Sequence, residues 1–236
     1  MIQMNSDMRI GESSWSDMLL EPALAAQRSE IAAGAAVYEP GTPAQHVYFI
    51  QSGQVREYQA GPDDTARLLE ILGPAEWFGV GALGASGTYS TRAVAISPTT
   101  VWAVPVERLM GLLAQQPKTA ALFIRQLAGK IQAAREDASR LVFDDCGSRL
   151  IKTLLHFSST AAATPQENGV IMLRITHRQL AQAVGAARET VSLALTQLRQ
   201  QNLLRTGRNR LLFHPDALRD FAIRPRIATP RREKIA

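Results

Sequence analysis

The chain has 236 residues, 46% of them hydrophobic and 20% charged; this is the size of one or two domains, and the average usage excludes collagen-like, coiled-coil-only and wholly disordered chains. No apolar run approaches the ~18 residues of a membrane span, and the polar start (Asn5, Ser6, Asp7, Arg9, Glu12) carries no signal-peptide core, so the cytoplasm, away from the membrane, is expected. The net charge of +5 hides an asymmetry: 11 Lys/Arg face 15 Asp/Glu up to Asp144 and 15 face 6 after it, so the halves carry −4 and +9 and the second should meet a polyanion, either nucleic acid or an anionic membrane surface.

The first twenty residues read as a partly ordered lead-in. From about Ile31 to Val106, turn residues recur at close intervals (Gly34, Pro40-Gly41, Gly53, Gly61-Pro62, Gly73-Pro74, Gly79). Between them lie strand-length runs rich in β-branched and aromatic residues: Val47–Ile50, Val55–Tyr58, Leu68–Leu72, Arg92–Ile96 and Val101–Val104. They predict one small all-β domain over 20–115, a β-roll of jelly-roll type closed by a short helix at Glu107–Ala114.

Pro117 can open a helix, and only Gly129 interrupts the helix-forming run to Val142. Ile124, Leu127, Ile131, Ala134, Ala138 and Leu141 are spaced 3, 4, 3, 4, 3, the seam of a helix pairing with another helix, most economically a second copy. The segment 116–143 is therefore expected to be a dimerisation helix, the alternative being a helix packed on its own β-domain. The single cysteine, Cys146, excludes an internal disulfide and any cysteine-ligated zinc or iron–sulfur cluster made by this chain alone, and reads as a small residue packed in a helix.

The basic half, 144–224, begins with helical periodicity over Ser148–Phe157, a polar loop over Ser158–Gly169 and a strand over Val170–Ile175. Thr176-His177-Arg178-Gln179 has the form of a capping box. Leu180, Ala181 and Val184 give the helix an apolar face, Gly185 permits a sharp turn, and a second helix follows over 187–200. Val191, Leu195 and Leu198 turn its core side inward, leaving Arg188, Ser192, Thr196 and Arg199 outward with Glu189 beside them. Arg at the start of such a helix can hold guanine bidentately and Glu can accept from cytosine, which suits the major groove. Leu203–Phe213 reads as a hairpin with a basic tip, a wing whose Arg205, Arg208 and Arg210 would touch phosphate. A membrane surface would instead call for a basic amphipathic helix. The tail, 225–236, is basic and proline-broken.

On these features the sequence resembles the Crp/Fnr family of bacterial transcription regulators over roughly residues 30–220. The resemblance is carried by Tyr38-Glu39-Pro40-Gly41, Val47-Tyr48-Phe49-Ile50, Trp77-Phe78-Gly79, Gly147-Ser148-Arg149-Leu150 and above all Ile175–Leu204. It implies an α+β chain of β-roll, dimer helix and winged helix-turn-helix, a homodimer on double-stranded DNA, and RNA polymerase as a partner. It assigns base reading to Arg188, Glu189, Ser192 and Leu193, where Leu193 stands in place of the family's usual Arg and could meet a thymine methyl. Thr176, Arg178, Thr190, Thr196, Arg199, Arg208 and Arg210 would hold phosphates.

In cyclic-nucleotide binders of the family a Glu follows Phe-Gly and an Arg-Ser or Arg-Thr pair holds the phosphate. Here Val80 replaces the Glu and Ser90-Thr91 precede Arg92, which argues against a cyclic nucleotide. Parts of the β-domain look more like the NtcA type of nitrogen regulator, whose effector is 2-oxoglutarate. That likeness implies a small dianionic acid held by Phe78, Gly79, Val80, Gly81, Arg92, Lys130 and Arg135; control by abundance without an effector is the alternative. A haem branch would have only His46 as a β-domain ligand. No metal site or catalytic residue is expected: a cupin-like enzyme needs several converging His/Glu ligands, and no Gly-x-Ser-x-Gly elbow is present. A dimeric adaptor that binds no DNA is a third reading, distinguished by the absence of a salt slope on polyanions.

Overall fold

The computed structural model describes residues 15, 18–61, 65–160 and 162–223. The expected basic tail, 225–236, lies outside them, as do the first fourteen residues of the expected lead-in.

Eight strands make the β-domain: β1 Gln27–Ile31, β2 Ala36–Tyr38, β3 His46–Ser52, β4 Val55–Ala60, β5 Ala66–Leu72, β6 Trp77–Phe78, β7 Thr91–Ala95 and β8 Thr99–Pro105. They form two antiparallel sheets, ordered β1-β8-β3-β6 and β2-β7-β4-β5. Alternation sends Val47 and Phe49 of β3, Thr99 and Val101 of β8 and Ala93 and Ala95 of β7 into the interior. Gly53, with φ +89°, joins β3 to β4, where an added Cβ would fall 2.4 Å from the Thr99 hydroxyl; only glycine fits this turn.

The β-domain core extends further than the local sequence pattern implies. Trp15, Met18 and Leu19, expected in a lead-in, are buried, and Trp15 packs edge-on against Trp77 and Phe123. Strands β1 and β2 also lie outside the runs that the pattern picks out. Gln27–Ile31 is almost wholly exposed, and its strand identity comes from antiparallel pairing with β8 rather than from any local signal.

Helix α1 (Val106–Gln115) leads into the long α2 (Pro117–Phe143). The second half holds α3 (Cys146–Ser158), β9 (Ala163–Pro165), β10 (Ile171–Leu173), α4 (His177–Val184), α5 (Arg188–Gln200), β11 (Leu204–Gly207), β12 (Arg210–Phe213) and α6 (Pro215–Ile223), with a third antiparallel sheet ordered β11-β12-β10-β9. The polar loop expected over Ser158–Gly169 thus contains β9, and α6 is an addition to the expected elements. Cys146 sits half-buried at the start of α3 against the core of this half. Among the described residues no helix is long and apolar enough to cross a membrane.

The two halves meet along β5. Its register slips between Glu57↔Glu70 and Tyr58↔Leu68, leaving Leu69 as an extra residue. This bulge brings Leu68 and Ile71 to one side, where both are buried in the hydrophobic cluster of α3, α4 and α5. Arg56 Nη2 adds a hydrogen bond to the Arg174 carbonyl across the same junction, at 3.0 Å.

Candidate nucleic-acid interface

Thr176 caps α4 as its spacing to Gln179 predicts. Its hydroxyl accepts from the Gln179 N–H at 3.1 Å while the Gln179 side-chain oxygen accepts from the Thr176 N–H at 3.0 Å. Both halves of the capping box are closed, satisfying two helix-end donors. At the other end Gly185 takes φ +68° and donates to the Ala181 carbonyl. That left-handed residue turns the chain, and α5 begins three positions later.

Leu180, Ala181 and Val184 of α4 and Val191, Leu195 and Leu198 of α5 are buried together. The opposite side of α5 faces water: Arg188, Glu189, Thr190, Leu193 and Arg199 are exposed, Leu193 by 62%. Beside it the β11–β12 hairpin turns through Arg208 and Asn209, Asn209 with φ +56°, and lifts Arg205, Arg208 and Arg210 into solvent. No ion pair among the described residues engages Arg178, Arg188, Arg199, Arg205, Arg208 or Arg210.

Three expected contact residues are already occupied. Ser192 is half-buried with its hydroxyl 3.0 Å from His177 Nδ1, a bond that ties α5 to α4. The Thr196 hydroxyl donates to the Ser192 carbonyl, one turn back in its own helix. The Thr176 hydroxyl serves the cap. Helical periodicity sets the direction of these side chains but does not name their partners. Arg178, exposed, stands over a groove it shares with Ala60, Gly61 and Arg67 of the β4–β5 hairpin.

The long helix has two adjacent faces. Phe123 is buried against Trp15 and Trp77, and Leu127, one of the expected seam residues, packs on the β-domain core. The rest of the seam points outward: Ile124 and Ile131 are 62% and 55% exposed, and Ala134, Ala138 and Leu141 are exposed as well. The helix therefore packs on its own domain with one stripe and leaves most of the expected seam open on the neighbouring one.

The seven expected effector residues lie in different surroundings. Phe78 and Gly79 are buried beneath aromatic rings, with Phe78 stacked on Tyr38 and Tyr48, and a Cβ on Gly79 would come 3.1 Å from the Tyr48 ring. The Ala82 N–H, next to them, donates to the Gly79 carbonyl. Arg92 pairs with Glu39 at 2.9 Å on the surface, Lys130 pairs with Glu70, and Arg135 is exposed in the middle of α2. Val80 and Gly81 lie in a short 3-10 turn, Val80 half-buried and Gly81 exposed. Local spacing could not show that Glu39 and Glu70, distant in sequence, would take up these cations.

Comparison with known proteins agrees with this layout. Residues 28–116 match the cyclic nucleotide-binding domain and residues 148–221 the Crp-like helix-turn-helix domain. The chain is 31% identical over 192 residues to a global nitrogen regulator of Synechococcus elongatus, covering 78% of this chain and 85% of that one. It is 30% identical over 176 residues to a CRP-like cAMP-activated global transcriptional regulator of Mycobacterium tuberculosis, covering 73% and 77%. Its fold is similar to that of the c-di-GMP-responsive global regulator CLP of Xanthomonas campestris (TM-score 0.72, 25% identity, 84% and 99% covered). A transcriptional regulator of the CRP/FNR family from Thermus thermophilus is comparably similar (TM-score 0.70, 25% identity, 83% and 98% covered). With a capped helix-turn-helix, a basic wing and a β-roll joined by a long helix, the chain belongs to the Crp/Fnr family of DNA-binding transcription regulators.

Proposed function

We propose that the chain acts as a homodimer, paired along Ile124, Ile131, Ala134 and Ala138, that reads a pseudo-palindromic DNA site and controls transcription through RNA polymerase. The observation that carries this reading is the start of α5, where Arg188 and Glu189 stand exposed beside a wing of exposed arginines. Arg188, Glu189 and Leu193 meet base edges in the major groove, Leu193 offering its apolar end to a thymine methyl. Arg178, Thr190, Arg199, Arg208 and Arg210 hold phosphates, and Ser192 and Thr196 reach DNA only if their present bonds break. Two such helices on a dimer lie about one DNA turn apart, roughly 34 Å, and so select inverted half-sites.

The β-domain is the sensing half in this reading. With Val80 in place of a Glu and Arg92 held by Glu39, its effector is something other than a cyclic nucleotide. Binding of a panel of half-site variants at two salt concentrations, with mass by sedimentation, tests the proposal. A dimer with base preference and a steep salt slope is expected. A monomer, or binding without sequence preference, would overturn it.

A further inference from the structure

A cavity of about 300 Å³ lies where the β-domain, the long helix and the DNA-binding half meet. Its walls come from the β5–β6 segment (Ile71, Trp77), from α2 (Gln126, Gly129) and from α3 (His156), with Trp15 closing one side. A volume of this size is at the lower end of small-molecule sites.

Three features point to a space kept for a ligand. Gly129 sits in the middle of a 27-residue helix, where glycine costs about 0.5–1 kcal/mol relative to alanine. Nothing lies within 4 Å of where its Cβ would be, so no packing demands the glycine, and its effect is to leave the cavity open. Two wall residues carry buried polar atoms without a protein partner, the Trp77 indole N–H and the Gln126 side-chain oxygen, and Trp77 is only 1% exposed. Buried polar groups of this kind ordinarily have a partner. Finally, the wall offers no free charge. Lys130 is taken by Glu70, Glu76 accepts from the Gly73 N–H at 2.6 Å, and burial pushes Glu76 and His156 toward their neutral forms.

We infer that this junction cavity binds a small uncharged molecule with a flat apolar body and a neighbouring acceptor and donor, the chemistry of an aromatic amide or lactam. The acceptor meets the Trp77 N–H, the donor meets the Gln126 oxygen, and the ring lies against Ile71 and Trp15. Because all three parts of the molecule line the site, an occupant favours whichever arrangement of the halves closes the walls around it. That regulatory consequence rests on the DNA-binding reading above; the binding itself does not.

Isothermal titration of the full-length protein with oxindole tests the binding, with indane, which lacks the polar groups, and 2-oxoglutarate as comparisons. Saturable binding of oxindole, at least tenfold tighter than either, is expected. Trp77→Phe should weaken it about tenfold, and Gly129→Leu, which fills the cavity without a clash at Cβ, should abolish it while leaving the melting temperature unlowered. Absence of saturable oxindole binding would overturn the proposal, meaning the space holds water only. So would equal binding of indane, or binding undiminished in Gly129→Leu. Oxindole should also shift DNA affinity in the wild type but not in Gly129→Leu. Loss of all DNA binding, with oxindole titration intact, would count against the DNA reading and leave the cavity assignment standing.

Discussion

In the β-domain and along the long helix several basic side chains are engaged within the molecule, Arg92 with Glu39, Lys130 with Glu70, Arg140 with Asp137 and Glu136, while Arg108, Lys118, Arg125 and Arg135 are exposed without an ion pair among the described residues. In the DNA-binding half, Arg178, Arg188, Arg199, Arg205, Arg208 and Arg210 enter none of the ion pairs among the described residues, although that half of the sequence carries a net +9. Surface ion pairs add little stability, so their value here is diagnostic. A cation paired with an acid is part of the scaffold, while a cluster in which arginines outnumber acids repels itself until an external anion arrives. Net charge alone points to the polyanion; the gathering of unpaired arginines on α4, α5 and the wing says where it would be met.

The harshest way to break this contrast is to separate the copies of the proposed dimer. Ile124→Glu with Ile131→Glu places charge on the exposed seam and spares Leu127, which the β-domain needs. The sedimenting mass should halve at micromolar protein, the thermal unfolding should stay near wild type, and affinity for the full site should fall by about 10²–10⁴-fold as bivalency disappears.

Arginines within the free cluster should then differ among themselves. Arg188→Ala should cost ~1–3 kcal/mol on the preferred site and relax the choice of one base per half-site. Arg208→Ala should weaken all sequences alike and lower the salt slope by ~0.9 for each phosphate that the wing tip no longer neutralises. Leu193→Arg should move the preference at the neighbouring base pair toward guanine. If Arg188→Ala instead gave a uniform loss, α5 would not be the reading helix.

A milder test concerns Thr176, which the sequence places both at a cap and at a phosphate. With its hydroxyl inside the capping box, Thr176→Ala should lower stability by ~1 kcal/mol, read as a fall in melting temperature, and should leave the salt slope nearly unchanged. Thr176→Ser should restore most of the loss.

The smallest effect is a pH dependence at the junction. Burial holds the His156 imidazole below its ordinary value, opposed by Asp137, Glu70 and Glu136 and aided by Arg140. The unfolded chain takes up a proton near pH ~6.5 that the folded chain refuses, so His156 makes the protein lose stability as pH falls through that value. His156→Gln should flatten the slope of stability against pH between about 7 and 5, measured as the difference between the two proteins so that other groups cancel.

How much of the molecule is legible in its sequence depends on the range of the interaction. The capping box, the Gly185 turn and the Val191-Leu195-Leu198 stripe are closed within a few residues, and all three appear where the spacing puts them. The long helix is legible for the same reason, because its exposed and buried stripes are both written at i, i+3 and i+4 intervals. Trp15 is not, since its partners Trp77 and Phe123 lie more than sixty residues away. Strand β1 is polar and owes its existence to β8. In the effector group the spacing likewise does not show that Glu39 and Glu70, far off in sequence, pair with Arg92 and Lys130. Ser192 shows the intermediate case, outward by periodicity yet within reach of His177 on the preceding helix.

The bulge at Leu69 has a thermodynamic consequence. Since Leu68 and Ile71 complete the core of the neighbouring half, the two halves should melt in one calorimetric endotherm rather than two. Swinging the helix-turn-helix away from β5 would wet both side chains, at ~1.5–3 kcal/mol for each one fully exposed. That penalty sets the scale of free energy that any reorientation of the helix-turn-helix against the β-domain would have to overcome.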